Sequence, residues 1–141
     1  MRRVVVTGMG IVSPIGNNTN EVLASLREAR SGITRSDSFV EHGFRCQVHG
    51  APTLDAASVV DRRAMRFHGG GTAWNHVAMD QAIADAGLAQ DEISHPRTGI
   101  VMGSGGPSAK TIVEAAHITQ TKGPKRVGLP DRRAVPLIQT R

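Results

Sequence analysis

The apolar positions fall into short groups of two kinds. Val4-Val5-Val6 is a continuous β-branched run, followed by Thr7-Gly8-Met9-Gly10-Ile11-Val12-Ser13-Pro14-Ile15-Gly16. That pattern predicts a strand buried on both faces, ending in a turn set by glycine and proline. Thr98-Gly99-Ile100-Val101-Met102 predicts a second short buried strand, closed by the tight loop Gly103-Ser104-Gly105-Gly106-Pro107. Phe44-Arg45-Cys46-Gln47-Val48 alternates apolar and polar and predicts a short exposed strand. The segment from Ile33 to His42 reads as irregular.

The second kind has helical spacing. Asn18, with Glu21 three residues on, is a helix-start pattern; Val22, Leu23 and Leu26 continue it, and Ser31-Gly32 is expected to end it. Asp61 is expected to cap a short helix through Ala64, Met65 and Phe67. Gly69-Gly70-Gly71 is expected to break the chain before a helix from Thr72 to Ala86, stopped by Gly87. Apolar residues cover most of that helix's circumference, which predicts burial. A polar linker with Pro96 follows. Ser108 is expected to cap a helix carrying Ile112, Val113, Ala115, Ala116 and Ile118, ended by Gly123-Pro124. The order strand, helix, small strand, helix pair, strand, helix is an α/β pattern.

Composition narrows the function classes. A chain of 141 residues suffices for one domain with a core. Lys and Arg outnumber Asp and Glu by 17 to 12, so the net charge of +5 points to an acidic partner. Nucleic acid fits poorly, because three Phe, one Trp and no Tyr leave few rings for stacking bases. The single cysteine, Cys46, rules out an intramolecular disulfide and suggests a reducing compartment. No apolar run is long enough to span a membrane, and the start Met1-Arg2-Arg3-Val4 lacks the apolar length of a signal peptide. The expectation is a cytoplasmic protein.

The candidate chemistry is sparse. Gly8-Met9-Gly10-Ile11-Val12-Ser13 holds two glycines of a dinucleotide loop, but Ser13 replaces the third. The next helix begins only near Asn18 to Glu21, and Glu28, the nearest acidic residue at the right distance, falls inside it. A phosphate cradle needs the helix N-terminus at the loop, so a structural strand and turn is the better reading. Gly103 to Pro107 lies between strand and helix, where α/β ligand loops lie. It lacks the Gly-Lys-Ser/Thr ending of a P-loop, and Met102 breaks a Gly-x-Ser-x-Gly frame around Ser104. Close approach to a ligand and a plain tight turn both remain open. His42, His49, His68, His76, His95 and His117 form no metal-ligand spacing. Cys46 lies away from any helix start that would lower its pKa and reads as a structural thiol. Arg62, Arg63 and Arg66 share one face of a short helix, either as a solvated basic face or as a docking patch for an acidic protein or a phosphate.

Several pieces then carry a family resemblance: Arg3-Val-Val-Val-Thr-Gly-Met-Gly-Ile-Val-Ser-Pro-Ile-Gly-Asn17, Glu21-Val-Leu-Ala-Ser-Leu-Arg27, Ser31-Gly-Ile-Thr34, Asp61-Arg-Arg63 with Arg66-Phe67, Gln81-Ala-Ile-Ala-Asp-Ala-Gly-Leu88 and Gly103-Ser-Gly-Gly106. In this order they resemble the N-terminal part of bacterial β-ketoacyl-[acyl carrier protein] synthases of the synthase I type. The resemblance covers about residues 2 to 128 and marks 129–141 as a non-matching tail, as a truncated or frame-shifted reading would leave. It implies an α/β fold, the N-terminal half of a thiolase-like layered fold, incomplete. It implies homodimers, and decarboxylative condensation of an acyl thioester with malonyl-acyl carrier protein. The family's cysteine nucleophile stands in a Ser-x-Ala-Cys-Ala-like turn, with two catalytic histidines and a lysine further on. None of these matches a residue here, so the resemblance implies no catalytic residue and an isolated chain without turnover.

What the resemblance does carry over is acyl carrier protein docking on Arg62, Arg63 and Arg66, joined by Arg45, Lys125 and Arg126. It also implies an acyl-pocket loop of Gly105, Gly106 and Pro107 with Ile112. No cofactor, metal, nucleic-acid or membrane partner is implied. The alternatives are a non-enzymatic acyl carrier protein-binding module and, more remotely, a small nucleotide-binding α/β protein. Apolar surface left uncovered predicts poor solubility of the chain alone.

Overall fold

The structure, a computed structural model, describes residues 3–66, 68–106 and 108–128. Phe67, Pro107 and the 129–141 tail lie outside the described residues. The chain divides into two compact units. The first comprises Met1–Asp55 and Trp74–Leu88, and the second Ala56–Ala73 and Ala89–Arg141.

In the first unit, helix α1 spans Thr19–Arg27. The Asn18 side chain accepts from Glu21 N–H at 3.0 Å. The Glu21 carboxylate reaches back to accept from Asn17 N–H at 2.8 Å, one residue earlier than in a capping box. The helix stops before the expected Ser31-Gly32. Ala29 takes the left-handed conformation, φ 52°. Ala29 N–H then bonds Leu26 C=O at 3.3 Å and Arg30 N–H bonds Ser25 C=O at 2.8 Å. That is a Schellman closure with alanine at the usual glycine position.

The segment expected to be irregular contains β1, Ile33–Arg35, and helix α2, Asp37–Glu41, capped by Ser36. Strand β2, Val48–Gly50, pairs antiparallel with β1 in the register Ile33 to Gly50, Thr34 to His49 and Arg35 to Val48. It begins where the expected strand, Phe44 to Val48, ends. Phe44 instead packs its ring on Phe39, with centroids 5.3 Å apart.

Neither buried strand forms. Val4, Val5 and Val6 are 91%, 67% and 83% exposed and belong to no sheet. Ile100 and Val101, in the second unit, are 73% and 98% exposed and likewise unpaired. A buried strand requires partners on both edges and layers on both faces. Among the described residues the two-stranded β1–β2 ladder is the only sheet.

Helix α3, Arg62–Met65, has Asp61 as its cap, as expected. Helix α4, Gly70–Ala86, starts two residues early, through the expected glycine break. Ala73 N–H bonds Gly69 C=O at 3.0 Å, and Ala73 is the most buried apolar residue, 1% exposed. Burying Ala73 and adding helical hydrogen bonds offsets about 1 kcal/mol per glycine of unfavourable propensity. Gly87, φ +66°, ends α4 as expected. From Trp74 onward α4 belongs to the first unit, where its apolar residues are half-buried, or exposed at Ala84, rather than buried. The polar linker contains a short helix, α5, Gln90–Ile93. Ser108 caps α6, Ala109–Lys122, and Gly123, φ +82°, ends it.

The buried apolar residues Ala56, Val60, Ala73 and Ala115 all lie in the second unit. Among the described residues of the first unit the buried ones are two serines. Ser25 Oγ donates to Ile15 C=O at 2.6 Å, and Ser36 Oγ accepts from Phe39 N–H at 3.3 Å.

Candidate functional site

The Thr7–Gly16 turn is held by one face of α4. Gly8 and Gly10 lie so close to that helix that a Cβ on Gly10 would collide with the Ala78 carbonyl oxygen. A Cβ on Gly8 would come within 2.8 Å of Ala86 Cβ. Two polar side chains one helical turn apart fasten the turn. Gln81 Oε1 accepts from Ile11 N–H at 3.1 Å while its Nε2 donates to Asn17 C=O at 2.7 Å. Asp85 accepts from Met9 N–H at 2.9 Å. Ser13 and Gly16 close the turn with reciprocal backbone bonds of 2.9 and 3.2 Å. The glycines therefore serve close packing on a helix that follows far later in the chain. They do not open α1, which begins only at Thr19, so a pyrophosphate would meet no helix N-terminus here.

Beside this turn lies a shallow depression of about 380 Å³, lined by Pro14, Glu21, Ser25, Arg30 and Thr53 among others. Its polar groups are turned toward the chain itself. Glu21 accepts from Asn17 N–H and from Asn18 Nδ2, Ser25 donates to Ile15 C=O, and Arg30 Nε pairs with Glu28 at 2.9 Å. No convergent ligand set is left over.

The arginine cluster is built by a cap. The Asp61 carboxylate accepts from Arg63 N–H at 2.8 Å and Ala64 N–H at 3.3 Å, which starts α3 immediately before the basic residues. Arg62, Arg63 and Arg66 are all exposed, and no carboxylate lies within 4.0 Å of them among the described residues. Arg45 is exposed in the first unit. Lys125 and Arg126 are exposed on the 3₁₀ turn Pro124–Arg126, which packs against α6. Gly105 and Gly106 are exposed, and Ile112 is 39% exposed on the second turn of α6. They line no part of the depression described above, and Pro107 lies outside the described residues. Ser104 Oγ donates to Gly106 C=O at 2.7 Å, so this hydroxyl closes its own loop.

Cys46 is exposed, its thiol directed at Val48 C=O at 3.5 Å. No group of three or more His, Cys, Asp or Glu side chains could hold a metal among the described residues. No helix there is long and apolar enough to cross a membrane. Sequence reasoning missed Gln81 and Asp85 as the fastening of the turn. Their signal was their i, i+4 spacing as the polar positions of an otherwise apolar helix segment.

Comparison with known proteins gives these contacts a context. The family described as beta-ketoacyl synthase, N-terminal domain, matches residues 1–136. The 3-oxoacyl-[acyl-carrier-protein] synthase 1 of Escherichia coli is 46% identical over 130 residues, covering 91% of this chain and 32% of that protein. Its Haemophilus influenzae counterpart is 43% identical over 129 residues, again 91% and 32%. The crystal structure of a beta-ketoacyl synthase from Burkholderia phymatum matches with a TM-score of 0.74 at 28% identity, covering 93% of this chain and 33% of that one. The chain thus spans about a third of the length of the relatives it matches. Its fold is a partial α/β domain of the thiolase-like class, although the strands expected for that class at 4–6 and 98–102 are unpaired.

Proposed function

Since the chain belongs to the beta-ketoacyl synthase family through its N-terminal domain, we propose that it supplies the carrier-protein-facing part of a fatty-acid-elongating acyltransferase. The reaction is decarboxylative condensation of an acyl thioester with malonyl-acyl carrier protein. Such chemistry needs a thiolate to hold the acyl group and aimed donors for the developing enolate. Cys46, the sole cysteine, accepts no such role: it is exposed, and its thiol points at a backbone carbonyl. The residues here recognise the substrate carrier and leave bond-making to a nucleophile elsewhere.

The observation that carries this reading is α3. Asp61 uses its own charge on the helix N-terminus, and Arg62, Arg63 and Arg66 remain exposed without a carboxylate. An acidic carrier protein meets fixed positive charge there, which raises the association rate and orients the encounter. Lys125 and Arg126 add positive charge in the same unit, and Arg45, in the first unit, is a further candidate docking residue. Gly105, Gly106 and Ile112, with Pro107, are assigned to the acyl-chain side of the site, where a glycine loop lets a substrate approach the backbone. The expected domain of residues 1–128 leaves 129–141 as a non-matching tail, while the family match itself runs on to residue 136; the protein is assigned as a cytoplasmic homodimer. No cofactor is assigned.

Titration with acyl carrier protein tests this. Binding is expected to weaken at least tenfold in the Arg63→Ala/Arg66→Ala double variant, and to weaken with added salt. Unchanged affinity refutes the patch. A condensation assay with malonyl-acyl carrier protein is expected to show no turnover by the chain alone. Binding without turnover also fits a non-enzymatic carrier-binding module. Restored condensation on adding the rest of a synthase separates the two.

A further inference from the structure

Three successive N–H groups of α3 end on one residue. Arg63 N–H and Ala64 N–H both donate to Asp61 Oδ2, at 2.8 and 3.3 Å, and Met65 N–H donates to the Asp61 carbonyl at 2.9 Å. A helix of four residues does not hold itself in water, because nucleation costs more than so few bonds return. The turn therefore depends on its cap and on what Ala64 and Met65 bury, and both are only half-buried. The residue before the cap, Val60, is 7% exposed, and its N–H bonds Ala56 C=O at 2.9 Å. Asp61 thus joins the arginine-bearing turn to a buried point of the second unit.

We propose, on the docking reading above, that Asp61 is a positioning residue for carrier-protein binding, and that its role as a cap outweighs its unfavourable charge. Charge alone predicts the opposite: a carboxylate beside the cluster repels an acidic partner, and removing it raises the net charge of +5 by one. This carboxylate, however, makes no ion pair with Arg62, Arg63 or Arg66; it faces the backbone. With the turn formed, the three arginines stand at i, i+1 and i+4 and present their charges as one set. With the turn open, the partner must order that backbone at each encounter, and binding loses the cost of doing so.

The test compares Asp61→Asn, Asp61→Ser and Asp61→Ala in the full chain by titration with acyl carrier protein. All three remove the same charge, but asparagine and serine cap a helix and alanine does not. Asp61→Asn and Asp61→Ser are expected to bind at least as tightly as the parent, and Asp61→Ala about fivefold more weakly than Asp61→Asn. Hydrogen exchange of the Ala64 and Met65 amides is expected to accelerate in Asp61→Ala and to be restored in Asp61→Asn, with α6 amides unchanged in both. Three results overturn the proposal. Equal affinity of the three variants would make the effect one of charge alone. Asp61→Asn and Asp61→Ser as weak as Asp61→Ala would mean that the carboxylate itself is required. Loss of α6 protection in Asp61→Ala would mean that Asp61 holds the whole unit rather than the patch. Unchanged affinity of Arg63→Ala/Arg66→Ala fails the docking reading, and this proposal with it; equal affinity across the Asp61 series while that double variant binds weakly fails this proposal alone.

Discussion

Replacing Gln81 with alanine should loosen the N-terminal turn more than any other single polar substitution on α4. One amide bridges two backbone groups, Ile11 N–H at 3.1 Å and Asn17 C=O at 2.7 Å, across 70 and 64 residues of sequence. Each bond contributes a net ~1 kcal/mol, and truncation leaves both partners unsatisfied. Ile11 and Asn17 are half-buried, so water reaches them in part and the penalty stays near the low end. Lost packing of the side-chain stem adds about 0.5 kcal/mol, and alanine's better helix propensity returns a few tenths. The sum is about 2 kcal/mol, or roughly a 30-fold increase in local opening. Native-state hydrogen exchange reads this at the Ile11 amide, with amides of α6 as the internal reference. Gln81→Glu keeps an acceptor for Ile11 but turns a carboxylate toward Asn17 C=O. It should preserve more Ile11 protection than alanine while opening the turn at Asn17. Ile11 exchange within twofold of the parent in Gln81→Ala would show that the glycine contacts alone hold the turn.

Gly10→Ala should cost several kcal/mol, because its Cβ meets the Ala78 carbonyl, a backbone atom of α4 that cannot rotate away; a urea midpoint unchanged from the parent refutes it. Gly71→Ala should stabilise by about 0.5–1 kcal/mol, since nothing lies within 4 Å of the added methyl and α4 gains propensity; a lower thermal midpoint would contradict this. Ala29→Gly should stabilise by about 0.5–1 kcal/mol, because glycine takes φ 52° without the alanine strain; slower exchange of the Arg30 amide is the readout, and faster exchange counts against it.

The features legible in the sequence are those decided within a few residues. Asn18, Asp61 and Ser108 cap their helices because a side-chain oxygen and the next turn's N–H groups are all the chemistry needs. Gly87 and Gly123 stop helices for the same local reason, positive φ. Ala29 shows the limit of that rule. It closes a Schellman motif that a search for glycine passes over, because the two bonds to Leu26 and Ser25 outweigh roughly 1 kcal/mol of left-handed strain. The arginines of α3 were legible as a shared face, and the Asp61 cap explains why that face is presented at all. Strands are different in kind. Whether Val4–Val6 pairs is decided by chain far from it, and its own residues state only that it is built to be covered. The same dependence explains Gln81-Ala-Ile-Ala-Asp-Ala-Gly-Leu88. In the sequence it is one matching piece among several. In the structure its two polar residues hold the Thr7–Gly16 turn, so the most recognisable pieces of the chain, far apart in sequence, are the two halves of one contact. The site follows the same division. A basic patch needs only one capped helix turn and is complete on α3. A pocket needs walls from several elements, and Gly105, Gly106 and Ile112 are exposed.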